Sequence, residues 1–474
     1  MKKIFGFTLT VAIIFVSIIS MSSCMSAIDA IADAFNEASD GAGAGDRTGA
    51  DNAGAGNEGA GSGTEETPDG SGSTSGTGSD VGGEEEGGAP SGGTDTDGGN
   101  GSTSGDGSSD SSIYLPEREE NAALADSLTS LQRTLLSSVA IVSTFEVGTG
   151  YYASSETMFG SGVFYSVDRE SGDAYIITNY HVVYSPNATK NSGISQNIMI
   201  YLYGQEYTDY AVSATYVGGS LNYDLAVLKI TDSEVIRKSC AVAVKMGDSD
   251  DVHVFDDVVA VGNPEGYGIS ATEGIISVQS ESLDMTGADG KTTVTFRVMR
   301  VSAAINSGNS GGGLYNEKGE LIGIVNAKRQ GANIDNIAYA IPINLAKNVA
   351  ENIIDNCDGT TKVKVYKALL GIKISAKSMG VVIDPDSGDV VIESEVVVKE
   401  VLSNAIVIDQ LIEGDVIRSV TVDGHTVEVT RDYHVTDTLL RARVGSVVVL
   451  NVTRGEEAHE ITVVIPQSSI TVVN

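Results

Sequence analysis

The chain has 474 residues, of which 64 are Asp or Glu and 29 are Lys or Arg, a formal charge of −35. So large an acidic excess excludes a nucleic-acid surface, which must neutralise phosphates with bases. With 3 cysteines and 5 histidines scattered along the chain there is neither a disulfide framework nor a metal motif, and no metal or cofactor is expected.

Met1, Lys2 and Lys3 give a short basic start, followed by an apolar run from Ile4 to Ile19. That is the pattern of a secretory signal; the alternative, a spanning anchor, needs roughly 20 apolar residues. Met21, Ser22, Ser23 and Cys24 resemble the lipobox of bacterial lipoproteins. The resemblance implies that residues 1–23 are removed and that the Cys24 sulfur carries diacylglycerol, tethering the chain to the outer face of the cytoplasmic membrane. Residues 24–112 read as a linker. From Ser39 to Ser112 it is Gly, Ser, Thr, Asp and Glu with almost nothing apolar, so it cannot bury enough surface to offset the entropy of ordering. A flexible chain of that length spans about 45 to 50 Å.

After Ser112 the text changes. A helix is expected over about 122–136, and short β-rich runs separated by Gly, Asn and Asp follow it at 162–167, 175–183, 197–203, 224–230, 258–261, 292–301, 320–325 and 338–343. Val294, Phe296 and Val298 alternate with Thr293, Thr295 and Arg297, the period of a strand with one buried face. Many short strands with turn residues between them predict β-barrels. Asn344 starts a helix with Leu345, Val349 and Ile353 on one face, and Gly359 is expected to end it. A boundary near 359–364 separates a domain over 113–359 from one over 365–474.

Candidate chemistry centres on the segment Asn306, Ser307, Gly308, Asn309, Ser310, Gly311, Gly312, a serine in a glycine-rich turn after a strand. Glycines let the backbone bend until N–H groups converge on one point, as an oxyanion hole requires, and Gly308 and Ser310 are the natural donors. A serine nucleophile needs a base. His181 is the one histidine that follows an apolar strand, Ile176 to Thr178; His253 lies in an acidic run, and His425, His434 and His459 lie in the C-terminal module. The base in turn needs a carboxylate to hold its tautomer, and Asp224 opens the apolar run Leu225, Ala226, Val227. The order His, Asp, Ser is that of the chymotrypsin type. Cys240 and Cys357 are read as buried or unpaired thiols.

These residues sit in strings that resemble the HtrA/Deg family of trypsin-like serine proteases over roughly 120–465: Gly160 to Val163, Thr178 to Val183, Asp224 to Val227, Val261 to Pro264, Thr272 to Ser277, Ala303 to Gly312, Gly319 to Ile324 and Ala338 to Asn344. The resemblance implies a mainly β fold with a chymotrypsin-like double β-barrel protease domain of two six-stranded barrels. His181, Asp224 and Ser310 then form the catalytic triad in the cleft between them. The chain departs from the family at Ser302, where an aspartate is usual, and at Glu265, where an aromatic is usual. The first is expected to alter a wall of the substrate groove and the second a regulatory loop. A long interval between His181 and Asp224 is read as a surface insertion over Ser185 to Ser195.

Trypsin-like enzymes that select Arg or Lys carry an acid six positions before the nucleophile, and here Ala304 and Ile305 stand there. An apolar pocket leaves a buried cation unpaired, so cleavage after small or medium aliphatic residues is expected. Such residues are buried in folded proteins and reachable in unfolded ones, which suits protein quality control. Residues 365–474 resemble a PDZ-like domain, with Leu369, Leu370, Gly371 and Ile372 at the carboxylate-binding loop, Glu413 to Ile417 as a second element, and a helix over 436–444 as the groove's other wall. PDZ grooves bind C-termini by strand addition. Expected partners are therefore unfolded polypeptides, C-terminal peptides and the membrane, with a homotrimer suggested by the family. The alternative functions are a holdase chaperone and a catalytically silent peptide-binding surface protein.

Overall fold

The computed structural model describes residues 128–473 apart from 207, 327–336, 358–361, 384, 386 and 387. The signal, Cys24, the linker and the first residues of the helix expected over 122–136 lie outside the described residues. Helix α1 (Ser130–Leu136) starts at a capping box: the Thr129 hydroxyl accepts the Gln132 N–H and the Gln132 side chain accepts the Thr129 N–H.

Strands β1 (Ser138–Val147), β2 (Ser154–Asp168), β3 (Asp173–Thr178), β4 (Asn197–Leu202), β5 (Val212–Ser220) and β6 (Leu225–Ile230) close into a barrel in the order β1-β2-β3-β6-β5-β4. Val139, Ile141, Phe164, Ile176, Ile200 and Leu228 fill it. The run expected as one strand over 175–183 is divided: β3 ends at Thr178 and a helical turn, α2 (Tyr180–Val183), follows. The cause is local. The Tyr180 N–H and the Asn179 side-chain amide both donate to the Asp224 carbonyl, at 3.1 and 2.9 Å, drawing the chain out of the sheet. The insertion over 185–195 is not a plain surface excursion. Its ends are buried and pinned, with the Ser185 N–H on the Gly193 carbonyl (2.8 Å) and the Ser195 hydroxyl on the Thr144 carbonyl (2.8 Å).

After a short helix, α3 (Glu234–Lys238), the second barrel is built from β7 (Lys245–Met246), β8 (Asp257–Gly262), β9 (Ser270–Thr286), β10 (Thr293–Val301), β11 (Gly313–Asn316), β12 (Glu320–Asn326) and β13 (Ala338–Pro342). Its order is β11-β8-β9-β10-β13-β12, closed by β11 pairing with β12, while β7 adds in parallel to β12. Val294, Phe296 and Val298 of β10 face inward, and Thr293 and Thr295 face out, as their alternation predicts.

Helix α4 (Ile343–Asp355) buries Leu345, Val349 and Ile353 in a core shared with both barrels, each contributing about 1.5 to 3 kcal/mol. It stops at Asn356 and not at Gly359: the Asn356 amide turns back onto the Asn352 carbonyl at 2.6 Å and satisfies the helix end. The chain then runs along β5, with the Val363 N–H on the Val217 carbonyl at 2.9 Å.

The C-terminal domain comprises β14 (Val365–Ala368), β15 (Ile372–Ile383), β16 (Val390–Val401), β17 (Val416–Val422), β18 (His425–Glu428), α5 (Asp432–Thr438), β19 (Val447–Arg454), β20 (Glu457–Val464) and β21 (Ile470–Val473). The sheet runs β15-β16-β17-β19-β20, with β18 on β17 and a separate β14-β21 pair. β15 and β16 pair as a long hairpin from Ile372↔Val401 to Ile383↔Val390. Helix α5 starts earlier than the 436–444 expected. The Thr438 hydroxyl bonds back to the His434 carbonyl (2.6 Å), a contact that bends helices, and residues 440–442 continue as tight turns.

One buried side chain fastens this domain to α4. Fully buried Asn352 donates to the carbonyls of Tyr366 and Leu440 (both 2.7 Å) and accepts the Tyr366 N–H (2.9 Å). Asn352→Leu keeps the volume and leaves the Tyr366 N–H and carbonyl unpaired, at about 1 to 3 kcal/mol each, while the Leu440 carbonyl keeps the Arg443 guanidinium at 2.8 Å. The variant is expected to lose at least about 2 kcal/mol of unfolding free energy in urea denaturation; a loss below about 0.5 kcal/mol, the range of a neutral surface change, would show the contact to be dispensable.

Candidate active site

Asp224 is the most constrained residue of the fold. Its carboxylate is fully buried and its backbone sits at φ +50°, a left-handed conformation that costs a non-glycine residue about 1 to 3 kcal/mol. Three donors hold the carboxylate. His181 Nδ1 lies 2.7 Å from Oδ2, the His181 backbone N–H donates to Oδ1 at 3.0 Å, and the Asn326 amide donates to Oδ2 at 3.0 Å. His181 rides on α2, the turn that Asp224's own carbonyl draws out of the sheet, so backbone and side chain of one aspartate position the histidine twice. The carboxylate fixes the tautomer with the proton on Nδ1, leaving Nε2 as a base. The neighbouring Tyr180 stacks on Tyr184 with ring centres 5.0 Å apart. Burial, then Tyr184 and the Asp224 and Asp289 carboxylates, push its hydroxyl up to about 12, so it stays a neutral wall.

Ser310 lies in the loop before β11, and the first barrel grips that loop. The Ser161 N–H donates to the Ser310 carbonyl (2.8 Å), and the Ser161 hydroxyl donates to the Gly308 carbonyl (2.6 Å) while accepting the Asn263 N–H (2.8 Å). Thr178, three residues before His181, donates its hydroxyl to the Ser161 carbonyl at 2.6 Å. Two of the three glycines of the loop are required by their backbone conformation. Gly308 (φ +92°) and Gly311 (φ +86°) are left-handed, and a Cβ on them would sit 2.2 Å from the Asn263 carbonyl oxygen and 2.2 Å from the Ser161 carbonyl oxygen. A Gly311 Cβ would also lie 3.0 Å from the Asn179 nitrogen, so the loop of Ser310 is packed against the strand end that leads into His181.

The peptide between Ser307 and Gly308 has a defined orientation. The Ser307 carbonyl accepts the Glu265 N–H at 2.7 Å, and in a trans peptide the Gly308 N–H then points the opposite way. This contact uses the backbone of Glu265 and is independent of its side chain, which is exposed. Ser302, the other departure, accepts the Ile275 N–H on its hydroxyl (3.0 Å) and ties β9 to the loop. Ala304 is exposed and its carbonyl accepts the Thr272 hydroxyl (3.0 Å), whereas Ile305 is buried in the second-barrel core.

The structure brings His181 and Asp224 into direct contact and packs the Ser310 loop beside them. Leu370, Gly371 and Ile372 lie apart, at the β14–β15 connection: Leu370 is buried, Gly371 is left-handed at φ +80°, and its carbonyl accepts the Leu402 N–H (2.9 Å). Cys240 and Cys357 are not joined in a disulfide. Among the described residues no group of three or more His, Cys, Asp or Glu could hold a metal. Ser161, Thr178, Asn263 and Asn326 are the site residues that sequence reasoning did not single out. Ser161, Thr178 and Asn263 lie inside strings already quoted, but only the folded contacts give them a role.

Residues 160–324 match the trypsin-like peptidase domain family. The chain is 35% identical over 204 residues to the serine protease Do-like HtrA of Bacillus subtilis, covering 43% of this chain and 41% of that one. It is 36% identical over 232 residues to the Do-like HtrA of Lactococcus lactis subsp. cremoris, covering 48% and 50%. The chain thus spans half or less of the length of these relatives. Among solved structures it is similar to an HtrA-type protease AlgW with decapeptide, with a TM-score of 0.44, 24% identity, and coverage of 71% of this chain and 97% of that one. From its paired barrels and the matched segment between residues 160 and 324, the chain carries a trypsin-like peptidase domain and is a relative of the HtrA/Deg serine proteases.

Proposed function

We propose that the chain is a cell-envelope serine endopeptidase that hydrolyses unfolded or misfolded proteins after small or medium aliphatic residues. The observation that carries this reading is the 2.7 Å contact between His181 Nδ1 and a fully buried Asp224 carboxylate beside the Ser310 loop. Ser310 Oγ attacks the peptide carbonyl and its proton passes to His181 Nε2. The resulting imidazolium is stabilised by Asp224, which stays ionised. The tetrahedral oxyanion is met by the N–H groups of Gly308 and Ser310, each worth about 3 to 4 kcal/mol in comparable sites. His181 then gives its proton to the leaving amine, and water attacks the acyl-enzyme by the same route in reverse.

In this reading Ala304, exposed in the loop before Ser310, gives the specificity site an apolar wall, and Ile305 backs it from the second-barrel core and does not line it. Residues 365–474 act as a PDZ-like module that takes C-terminal peptides, with the Leu370, Gly371 and Ile372 N–H groups on the carboxylate. Lipid on Cys24 tethers the protein to the outer face of the membrane, and a homotrimer is the assembly that the family likeness favours.

Three outcomes are expected. Ser310→Ala and His181→Ala each lower casein hydrolysis at least about a thousandfold, and Asp224→Asn about 10⁴-fold, because the three act as a unit; comparable cleavage by Ser310→Ala would remove the assignment. Mass-spectrometric mapping of cuts in a denatured protein gives Val, Ile or Ala before the scissile bond, and a majority after Arg or Lys would refute the pocket. Ser161→Ala removes the hydroxyl that joins the Gly308 carbonyl to the Asn263 N–H. It is expected to lower kcat on a short peptide about 10²-fold by loosening the oxyanion loop, with KM within about threefold. An unchanged kcat would mean that Ser161 does not position the loop.

A further inference from the structure

The C-terminal domain meets the second barrel through α5, and the contact is unusually rich in ionisable groups. Arg297 of β10 pairs with Asp437 of α5 at 2.5 Å, with side chains only 11% and 15% exposed, and its guanidinium lies 4.0 Å from the centre of the Tyr433 ring. One residue on, His434 is 9% exposed at its side chain, and its Nδ1 accepts the Thr430 N–H at 3.2 Å. The proton of the neutral ring therefore sits on Nε2, which is buried without a hydrogen bond and lies 3.6 Å from Asp250 Oδ2 on the barrel. A second pair of the same kind spans the same two domains, His253 Nδ1 of the barrel lying 3.6 Å from Asp389 Oδ2 in the β15–β16 turn.

We propose that the docking of the C-terminal domain on the second barrel is gated by protons, with His434 facing Asp250 as the principal switch and His253 facing Asp389 as the second. Each pair puts an imidazole of one domain against a carboxylate of the other, and imidazole is the side chain whose ordinary titration falls between about pH 5 and 8. A neutral imidazole offers Asp250 a dipole at a distance too long for a hydrogen bond; an imidazolium offers a full charge in a water-poor contact.

The surrounding charges set the sign. From the barrel, His434 is faced by Asp250, with Asp248 and Asp251 in the same loop and Arg297 on β10; from its own helix, by Asp437 and Tyr433. Lys367 of β14 faces Asp437. His253 is faced by Asp389, by Asp251, and by Asp256, whose carboxylate accepts its backbone N–H at 2.7 Å. Asp250 stands against His434 and Asp389 against His253, each at 3.6 Å, while Arg431 beside His434 and Lys318 beside Asp251 are further cations on the two sides, so an imidazolium at either place adds a cross-domain charge pair to the dock. Burial pushes the Asp250 carboxyl up, but His434, the Asn344 amide and Arg297 outweigh it and hold the group below its usual range, so its charge persists on acidification. Burial pushes the Asp437 carboxyl up against the pull of Arg297, which limits the tight state on the acid side. The dock is therefore firm in mildly acidic solution and looser above neutrality.

Hydrogen–deuterium exchange of the full chain tests this, read in peptides covering 432–438 and 295–301 and corrected for the intrinsic pH dependence of exchange. Exchange is expected to be at least threefold slower at pH 5.5 than at pH 8.0, and the difference is expected to vanish in the double variant His434→Gln with His253→Gln. Peptides over 173–178 in the first barrel are expected to be unaffected. If they lose protection in the double variant, that variant is misfolded, and Asp250→Asn, which is expected to lose most of the response, carries the test. Equal corrected exchange at the two pH values in the unaltered chain, or a full response in the double variant or in Asp250→Asn, would overturn the proposal.

Discussion

A fully buried carboxylate, that of Asp224, is the constraint from which the candidate site follows. Taking Asp224 out of water costs several kcal/mol unless donors saturate it, and the chain supplies those donors from two barrels. His181 comes from the turn after β3, and Asn326 from the end of β12. Neither barrel alone satisfies the charge, so the same interaction that orients the histidine also rewards the barrels for closing on each other. Burial and strain at Asp224 are tolerable only because the contacts around it over-determine its position.

The Ser310 loop obeys the same logic with neutral groups. Its backbone reaches across to Ser161, and Ser161 is in turn held by Thr178 and joined to Asn263. A hydroxyl that donates to one barrel's loop and accepts from another segment of it is a small device with a large geometric effect, since an error of 1 Å in a catalytic group can cost about 10²-fold in rate. The Glu265 N–H completes the arrangement by fixing the Ser307–Gly308 peptide.

Much of this was legible in the sequence, and the reasons differ by element. The strands of β10 were legible because Val294, Phe296 and Val298 repeat with a period of two and one face is buried. The order of His181, Asp224 and Ser310 picked out a candidate site because nucleophilic chemistry restricts which residue types can serve, and the structure brings two of the three, His181 and Asp224, into contact. What was not legible depended on single hydrogen bonds and not on the apolar pattern. The break between β3 and α2 comes from a partner far along the chain, the Asp224 carbonyl, while the early end of α4 and the bend of α5 come from the Asn356 and Thr438 side chains turning back four residues. Hydrophobic periodicity reports neither kind of contact. Ser161 and Asn326 escaped for the same reason, since a serine beside a glycine and an asparagine after an apolar strand are ordinary until their hydrogen bonds are known.

The two domains also meet closer to the site than their separation in sequence suggests. The cleft at α5 is lined by Asn222 and Tyr223, the residues immediately before Asp224, as well as by Arg297, Tyr433 and Asp437. Burial, and then the Asp437 carboxylate, push the Tyr223 hydroxyl up, so that ring stays neutral and packed between α5 and the loop of the buried carboxylate. Tyr223 thus joins α5 to the strained Asp224 by one aromatic ring and one peptide bond, without passing through the barrel cores.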